Sequence, residues 1–343
     1  MRVLFISNRN RRFENTNTYR EKAILDLGHE SIFFDHNEFI LPGRIRDRLP
    51  LLQRWDLKRL NKLLLNTARK MRPDVCLSVG GFYNLPETIT NIKILGIPMV
   101  LWTTDAPDKH FTHIIETAHL YDHIFCAGTE AIELLAEHRM LNTKWLPFAC
   151  DPFYHRPIRL DFDQKNRLAR DVVFVGSYYP NRWAILKELV NLNIGIWGPG
   201  WSRVINNENR SFIKDVHLNH TEWVKIYNAA KIIVIIHYQD GQIPCYQASP
   251  KIFESMACKS FVLTDEQKDV LRIFRSGKHL VSFQSIEDLK NKIHYFLDHE
   301  EERENIAKIG YDEVIQNHTY RHRIQVILNF IEAGSDINKM VIK

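Results

Sequence analysis

The residues with most to offer chemically lie in one stretch, Ser249 to Asp265, which reads SPKIFESMACKSFVLTD. Ser249 is a ready N-cap, and Pro250 takes the first helical position, where a missing N–H costs nothing. Ile252, Phe253, Met256 and Ala257 recur at helical spacing; Lys259 and Ser260 close the helix ahead of a short buried strand, Phe261 to Leu263. A helix that starts after a loop presents unpaired N–H groups and the positive end of its dipole. Lys251 adds a cation at that end, and Glu254 follows one turn on. Such a set suits a diphosphate with a ribose beside it, the carboxylate accepting from two vicinal hydroxyls. An ordinary α/β helix with a solvated Lys and Glu fits the same residues, so both readings stand at this point.

Other candidates lie at strand ends. Asp105 follows the apolar run Pro98 to Trp102. Polar groups at the carboxyl edge of a parallel strand face the ligand in doubly wound folds, so Asp105 is a candidate acceptor contact or general base. Capping of the next turn is the alternative. Gly80 and Gly81 come directly after the strand Asp74 to Val79, where they either admit a ligand close to the backbone or make a tight turn. Arg182 has the planar fork that grips phosphate, unless it is an exposed arginine at a helix start.

Lys251 to Cys258 resembles the K/R-x-F-E-A-M-A-C-G segment of GT-B glycosyltransferases and is most similar to the CgeB-like (spore maturation protein B-like) group, relatives of the family-4 enzymes. Phe174 to Arg182 resembles the group's F-V-G-S-x-x-P-x-R loop, Leu146 to Pro152 its L-P-F-A-x-D-P hinge, Trp102 to Pro107 its W-x-x-D-x-P segment, and His318 to Arg323 its H-T-Y-x-x-R segment. The resemblance implies two Rossmann-like, doubly wound α/β domains facing across a cleft, with the donor on the second and the acceptor on the first. It implies that Glu254 holds the donor ribose and that Lys251 and Arg182 face the diphosphate. Ser249 at the helix start joins that donor set, and Gly176 and Ser177 bring the backbone near the donor. The group's loop for the nucleotide base falls near Val216 to Leu218. Two departures stand out: Lys259 occupies the usual place of Gly, and Tyr246 that of the first glutamate of retaining enzymes.

The rest of the chain must hold these residues in place. Its 343 residues suffice for two α/β cores, and 45% hydrophobic with 25% charged residues excludes wholesale disorder. Strand–helix alternation predicts an N-terminal domain over 1–150, a proline-rich connector over 151–170, a nucleotide-sugar domain over 171–325, and a tail over 326–343 that crosses back to the first domain. Within these, His299 to Glu304 reads as a charged turn and Ile286 to Leu297 as an amphipathic helix. The five cysteines show no C-x-x-C spacing, which predicts neither a zinc site nor a disulfide framework and points to a reducing, cytoplasmic setting. Val3 to Ile6 reads as a first strand rather than a leader peptide. Residues 41–73 hold ten Lys or Arg against two Asp, a balance of +8. Apolar residues at 45, 49, 52, 60, 63, 64, 68 and 71 follow helical spacing, with Leu51, Trp55 and Leu57 on a second edge. That face is either a dock for an anionic membrane or lipid-linked acceptor, or a sheet-covering helix with a solvated basic back.

The expected activity is transfer of a sugar from a nucleotide-diphosphate donor to an unidentified acceptor, with no cofactor and no metal, fixed cations taking the metal's place. The acidic pair Asp161 and Asp163 lies in the connector and is discounted as a metal motif. A GT-B-fold epimerase or hydrolase and a non-catalytic sugar-nucleotide binder remain alternatives. A nucleic-acid acceptor stays open because of the basic residues Arg9 to Arg12 and the +8 segment.

Overall fold

The computed structural model describes residues 1–10, 14–46, 48–105, 111–206, 208–239 and 244–333. The chain divides into two compact units, one formed by Met1–Pro147 with the chain from Tyr320 onward, the other by Phe148–Thr319.

The first unit alternates strand and helix from its start. It runs β1 (Arg2–Ser7), α1 (Thr16–Asp26), β2 (Glu30–Asp35), α2 (Gly43–Arg46), α3 (Pro50–Met71) and β3 (Val75–Val79). Then come α4 (Pro86–Ile94), β4 (Met99–Thr103), α5 (Thr112–Thr117), β5 (His123–Cys126), α6 (Thr129–Glu137) and β6 (Thr143–Trp145). The six strands form one sheet in the order β2-β1-β3-β4-β5-β6, every pairing parallel. Strands of such a sheet are covered on both faces, which is why Val3, Leu4, Phe5 and Ile6 are all apolar and fully buried. Strand order reverses between β1 and β3, a switch point of the kind that hosts ligands beyond the strands' carboxyl ends. The unit is completed by α14 (Tyr320–Glu332), which packs on α1. There Arg20 is buried, its guanidinium 4.4 Å from the Trp102 ring and 5.4 Å from that of Tyr320. Arg323 Nε donates to the Pro147 carbonyl at 2.9 Å, so the last helix also fastens the end of the first segment.

The second unit begins with a loop and runs α7 (Phe162–Leu168), β7 (Arg170–Val175), α8 (Pro180–Leu186), β8 (Ile194–Gly198), β9 (Ile213–Asp215) and α9 (His220–Ala229). It continues with β10 (Ala230–Ile235), α10 (Pro250–Ala257), β11 (Val262–Asp265), α11 (Lys268–Ile273), β12 (Val281–Phe283), α12 (Ile286–Asp298) and α13 (Glu300–Asn317). Its sheet is again six-stranded and parallel, in the order β12-β11-β10-β7-β8-β9. The order reverses between β7 and β10, so the loops leaving those two strands flank this unit's switch point.

Several expectations need correction. Residues 151–170 fold within the second unit, and Asp161 is the N-cap of α7, its carboxylate taking the Gln164 N–H at 2.7 Å. The crossing helix starts at Tyr320 rather than at 326. Glu300 to Glu304 open the 18-residue helix α13 instead of forming a turn. Three glutamates in a first turn favour a helix through the dipole, which explains the difference. Of the expected apolar stripe, Leu60, Leu64 and Ala68 of α3 are buried, whereas Ile45, Leu49, Leu52 and Leu63 are exposed. Gly334 and the rest of the tail lie outside the described residues.

Candidate functional site

The start of α10 is fixed from three sides. Ser249 is its N-cap, the hydroxyl accepting the Lys251 N–H at 3.4 Å, and Pro250 occupies the first turn. The Ser249 N–H donates to His237 Nε2 at 3.1 Å. With that nitrogen accepting, His237 Nδ1 carries the proton and donates to Asp265 Oδ1 at 2.7 Å. Asp265 also accepts the His237 backbone N–H, at 3.1 and 3.2 Å to its two oxygens, and the Gln267 amide at 3.0 Å. Burial works against a charge on Asp265, yet the His237 ring and these hydrogen bonds outweigh it and hold the carboxyl below its ordinary value. The end of β11 thus grips the residue after β10, which in turn grips the helix cap.

Arg182 ties the two loops at the switch point. Its Nη1 donates to the Ser177 carbonyl at 3.0 Å, on the loop after β7, and its Nε to the Ile236 carbonyl at 2.9 Å, just beyond β10. A Cβ at Gly176 would press on the Phe174 ring at 3.0 Å and only touch Arg182 Nη1, at 3.4 Å, so the glycine keeps the loop clear of Phe174. Gly176 O also accepts Trp201 Nε1–H at 2.8 Å.

Lys251 and Glu254 complete the group. Lys251 is half-buried and Glu254 is 5% exposed. Among the described residues neither charged group has a hydrogen-bond or ion-pair partner. Burial lowers the Lys251 pKa, opposed by Glu254 and reinforced by the nearby positive charge of Arg182. Burial raises that of Glu254, with Lys251 opposing. Two cations held within each other's field beside a capped helix start make a pocket of positive potential that favours an anion. The structure thus brings Gly176, Ser177, Arg182, Ser249, Lys251 and Glu254 to one edge of the second unit.

The first unit holds the remaining candidates. Gly80 and Gly81 have φ of 78° and 69°, the left-handed region that glycine alone enters without strain. Their turn is braced by Gly80 N–H to the Trp102 carbonyl at 3.0 Å and by His113 Nε2 on Gly80 O at 2.9 Å. A Cβ on Gly80 would meet the Phe82 ring at 2.7 Å and Asp105 Oδ2 at 4.0 Å, so Asp105 lies over this turn, and it is among the charges that favour protonation of buried Arg20. Ala106 and Pro107 lie outside the described residues, as do Arg11 and Arg12. Arg9, the described part of that basic run, is paired with Glu21 and stacked 4.0 Å above Phe33.

His237 and Asp265 are the functional residues that motif reading passes over. Their signal is position: each stands at the carboxyl end of an apolar strand, His237 just beyond β10 at the switch point and Asp265 at the end of its neighbour β11. Among the described residues no cluster of three or more His, Cys, Asp or Glu is arranged to hold a metal ion.

Known proteins share this fold and part of this sequence. The "Glycosyl transferase-like" family profile matches residues 182–329. Spore protein CgeB of Bacillus subtilis (strain 168) is 24% identical over 266 residues, 73% of this chain and 80% of that protein. Among solved structures, Anabaena HepE in complex with UDP-glucose superposes with a TM-score of 0.70 at 13% identity, covering 97% of this chain and all of the other (100%). Sucrose-phosphate synthase from Thermosynechococcus elongatus gives 0.69 at 11% identity over 97% and 98% of the two chains. An alpha-glucosyltransferase in complex with UDP-glucose and DNA containing an abasic site gives 0.63 at 12% identity over 97% and 99%. The fold is that of the GT-B glycosyltransferases.

Proposed function

We propose that this GT-B glycosyltransferase, similar over most of its length to spore protein CgeB, takes its sugar from a nucleoside-diphosphate donor bound on the second unit. The observation that carries the proposal is the pair Lys251 and Glu254, without a hydrogen-bond or ion-pair partner among the described residues, beside Arg182 at the capped start of α10. Lys251, the free edge of the Arg182 guanidinium and the helix N–H groups take the charge that develops on the departing diphosphate, usually the largest electrostatic contribution to such a reaction. Glu254 accepts from the ribose hydroxyls. No metal is needed on this reading, because fixed cations serve the phosphates. Asp105 on the first unit is the proposed acceptor contact or general base. Structural neighbours that hold UDP-glucose make UDP-sugars the first donors to test.

Calorimetric titration of UDP into folded variants tests the site. Loss of a cation that meets phosphate costs about 1.5–3 kcal/mol, so Lys251→Ala should weaken binding by roughly one to two decades. Glu254→Gln keeps one acceptor and should lose less than Glu254→Ala. Arg182→Ala should weaken binding and also loosen the fold, since its bonds to Ser177 and Ile236 go too. Unchanged affinity in folded Lys251→Ala would refute the donor site. Product analysis with labelled UDP-sugars and mixed glycan, lipid-linked, protein and nucleic-acid acceptors then separates transfer from epimerisation, hydrolysis or binding alone.

A further inference from the structure

Residues 44–46 and 48–63 of the first unit form a surface that neither the core nor the proposed donor site explains. Helix α3 buries only Asp56, Leu60, Asn61, Leu64 and Ala68, and every residue from Arg48 to Trp55 is exposed. Leu51 is 82% exposed and Trp55 53%, with Leu49 and Ile45 close behind at 49% and 48%. Helical spacing sets Leu51 and Leu52 one turn from Trp55, so the three share a face. Arg48, Arg54, Lys58 and Lys62 stand exposed around them. Asp56, the helix's one carboxylate, is buried and bound by the Ile40 and Leu41 N–H groups and by Arg59, so it does not neutralise that face. A groove of about 790 Å³ lies beside Leu51, lined also by Phe39 and Tyr83, with Arg46, Arg54 and Lys58 outnumbering its one carboxylate, Glu87.

Contiguous exposed leucine and tryptophan mark a surface built to be covered. An acidic protein or nucleic acid would answer the cations but leave Leu51 in water. An apolar partner would strand the cations. A bilayer with anionic headgroups answers both, since its phosphates lie at the level of the basic side chains and its acyl boundary just beneath. We propose that this face docks the enzyme on the surface of an anionic phospholipid bilayer. Leu51, Leu52 and Trp55 enter the headgroup–acyl boundary, and Arg48, Arg54, Lys58 and Lys62 meet lipid phosphates. The contact is peripheral: no described helix is long and apolar enough to cross a membrane.

The test is flotation of the full chain with vesicles of phosphatidylcholine alone or of equal parts phosphatidylcholine and phosphatidylglycerol, at low and high salt. The protein should float with the anionic vesicles and be released by salt. L51E/W55E and R54E/K58E should each lower the partition coefficient at least about tenfold. Both alter exposed side chains, so unchanged circular dichroism and UDP affinity should confirm an intact fold and a donor site independent of this face. Brominated lipid should quench tryptophan fluorescence in the parent and markedly less in Trp55→Phe. Equal recovery with the two vesicle types, recovery with neither, or unimpaired binding by the folded variants overturns the proposal; recovery with neither points to a protein partner or a solvated helix, and unimpaired binding to another membrane-binding face.

Discussion

His237 joins the ends of two strands to the cap of a helix, and every polar atom of its ring is committed to that task. Asp265 holds the ring by a bond to Nδ1 and the residue's backbone by its N–H, so the geometry of the proposed anion site rests on one carboxylate. Because the folded pKa of Asp265 lies below the ordinary 3.8, its contribution to stability is complete above the unfolded value and is lost as pH falls through the folded one. Asp265→Asn should therefore destabilise the protein at neutral pH, by about 1–3 kcal/mol for a buried hydrogen-bonded charge. Its deficit should shrink as pH drops below about 4, where the parent's own carboxyl protonates. Urea midpoints for both proteins at pH 7 and pH 3 would show this; a deficit constant with pH would mean that the carboxylate's charge does not matter. The same variant should raise the KM for donor more than it lowers kcat, since the residue acts on the position of Ser249 and not on the sugar.

At the scale of elements, the departure at Lys259 acquires a physical meaning. The residue follows the last turn of α10 with φ of 60°, the left-handed conformation in which a Cβ is strained and for which helix ends ordinarily use glycine. Lys259→Gly should stabilise the protein by up to about 1 kcal/mol, relief of that strain exceeding glycine's added freedom in the unfolded chain. A thermal melt that falls instead would show Lys259 to be held by contacts worth more than the strain. Helix α10 was legible because cap, proline, periodicity and terminus all agree over Ser249 to Ser260. Helix α13 was not, because the run at its start, Glu300 to Glu304, is charged throughout, carries no apolar period and reads as a turn. In the structure a Cβ at Gly310 would lie 2.2 Å from the His279 carbonyl and 2.8 Å from Met256, so the glycine permits close packing that no local pattern records. The edge strand β9 is three residues long with only Ile213 buried, too short a run to carry a period. The proposed donor residues were legible because motif and helix geometry coincide; His237 and Asp265 were hidden because their place depends on which strands become neighbours.

For the whole molecule, the two sheets follow from two strand–helix series, and the +8 balance of residues 41–73 belongs to the first unit alone. The last helix belongs there too. Buried Tyr19 and Arg20 need Tyr320, whose ring lies 6.0 Å from that of Tyr19. A fragment of residues 1–147 should therefore be unfolded or aggregate, and tethering residues 318–333 to it by a flexible linker should restore a cooperative melt. A cooperative transition in the bare fragment would show α14 to be dispensable.

That return of α14 also orders events during synthesis. Domains ordinarily fold as they leave the ribosome, the first-made one first. Here the earlier-made of the two units lacks one of its helices until residues 320–332 have been translated, whereas the segment Phe148–Thr319 is complete earlier. The unit that starts first finishes last, and throughout that interval the groove around Tyr19 and Arg20 that receives α14 stands open and is a natural place for a chaperone to hold.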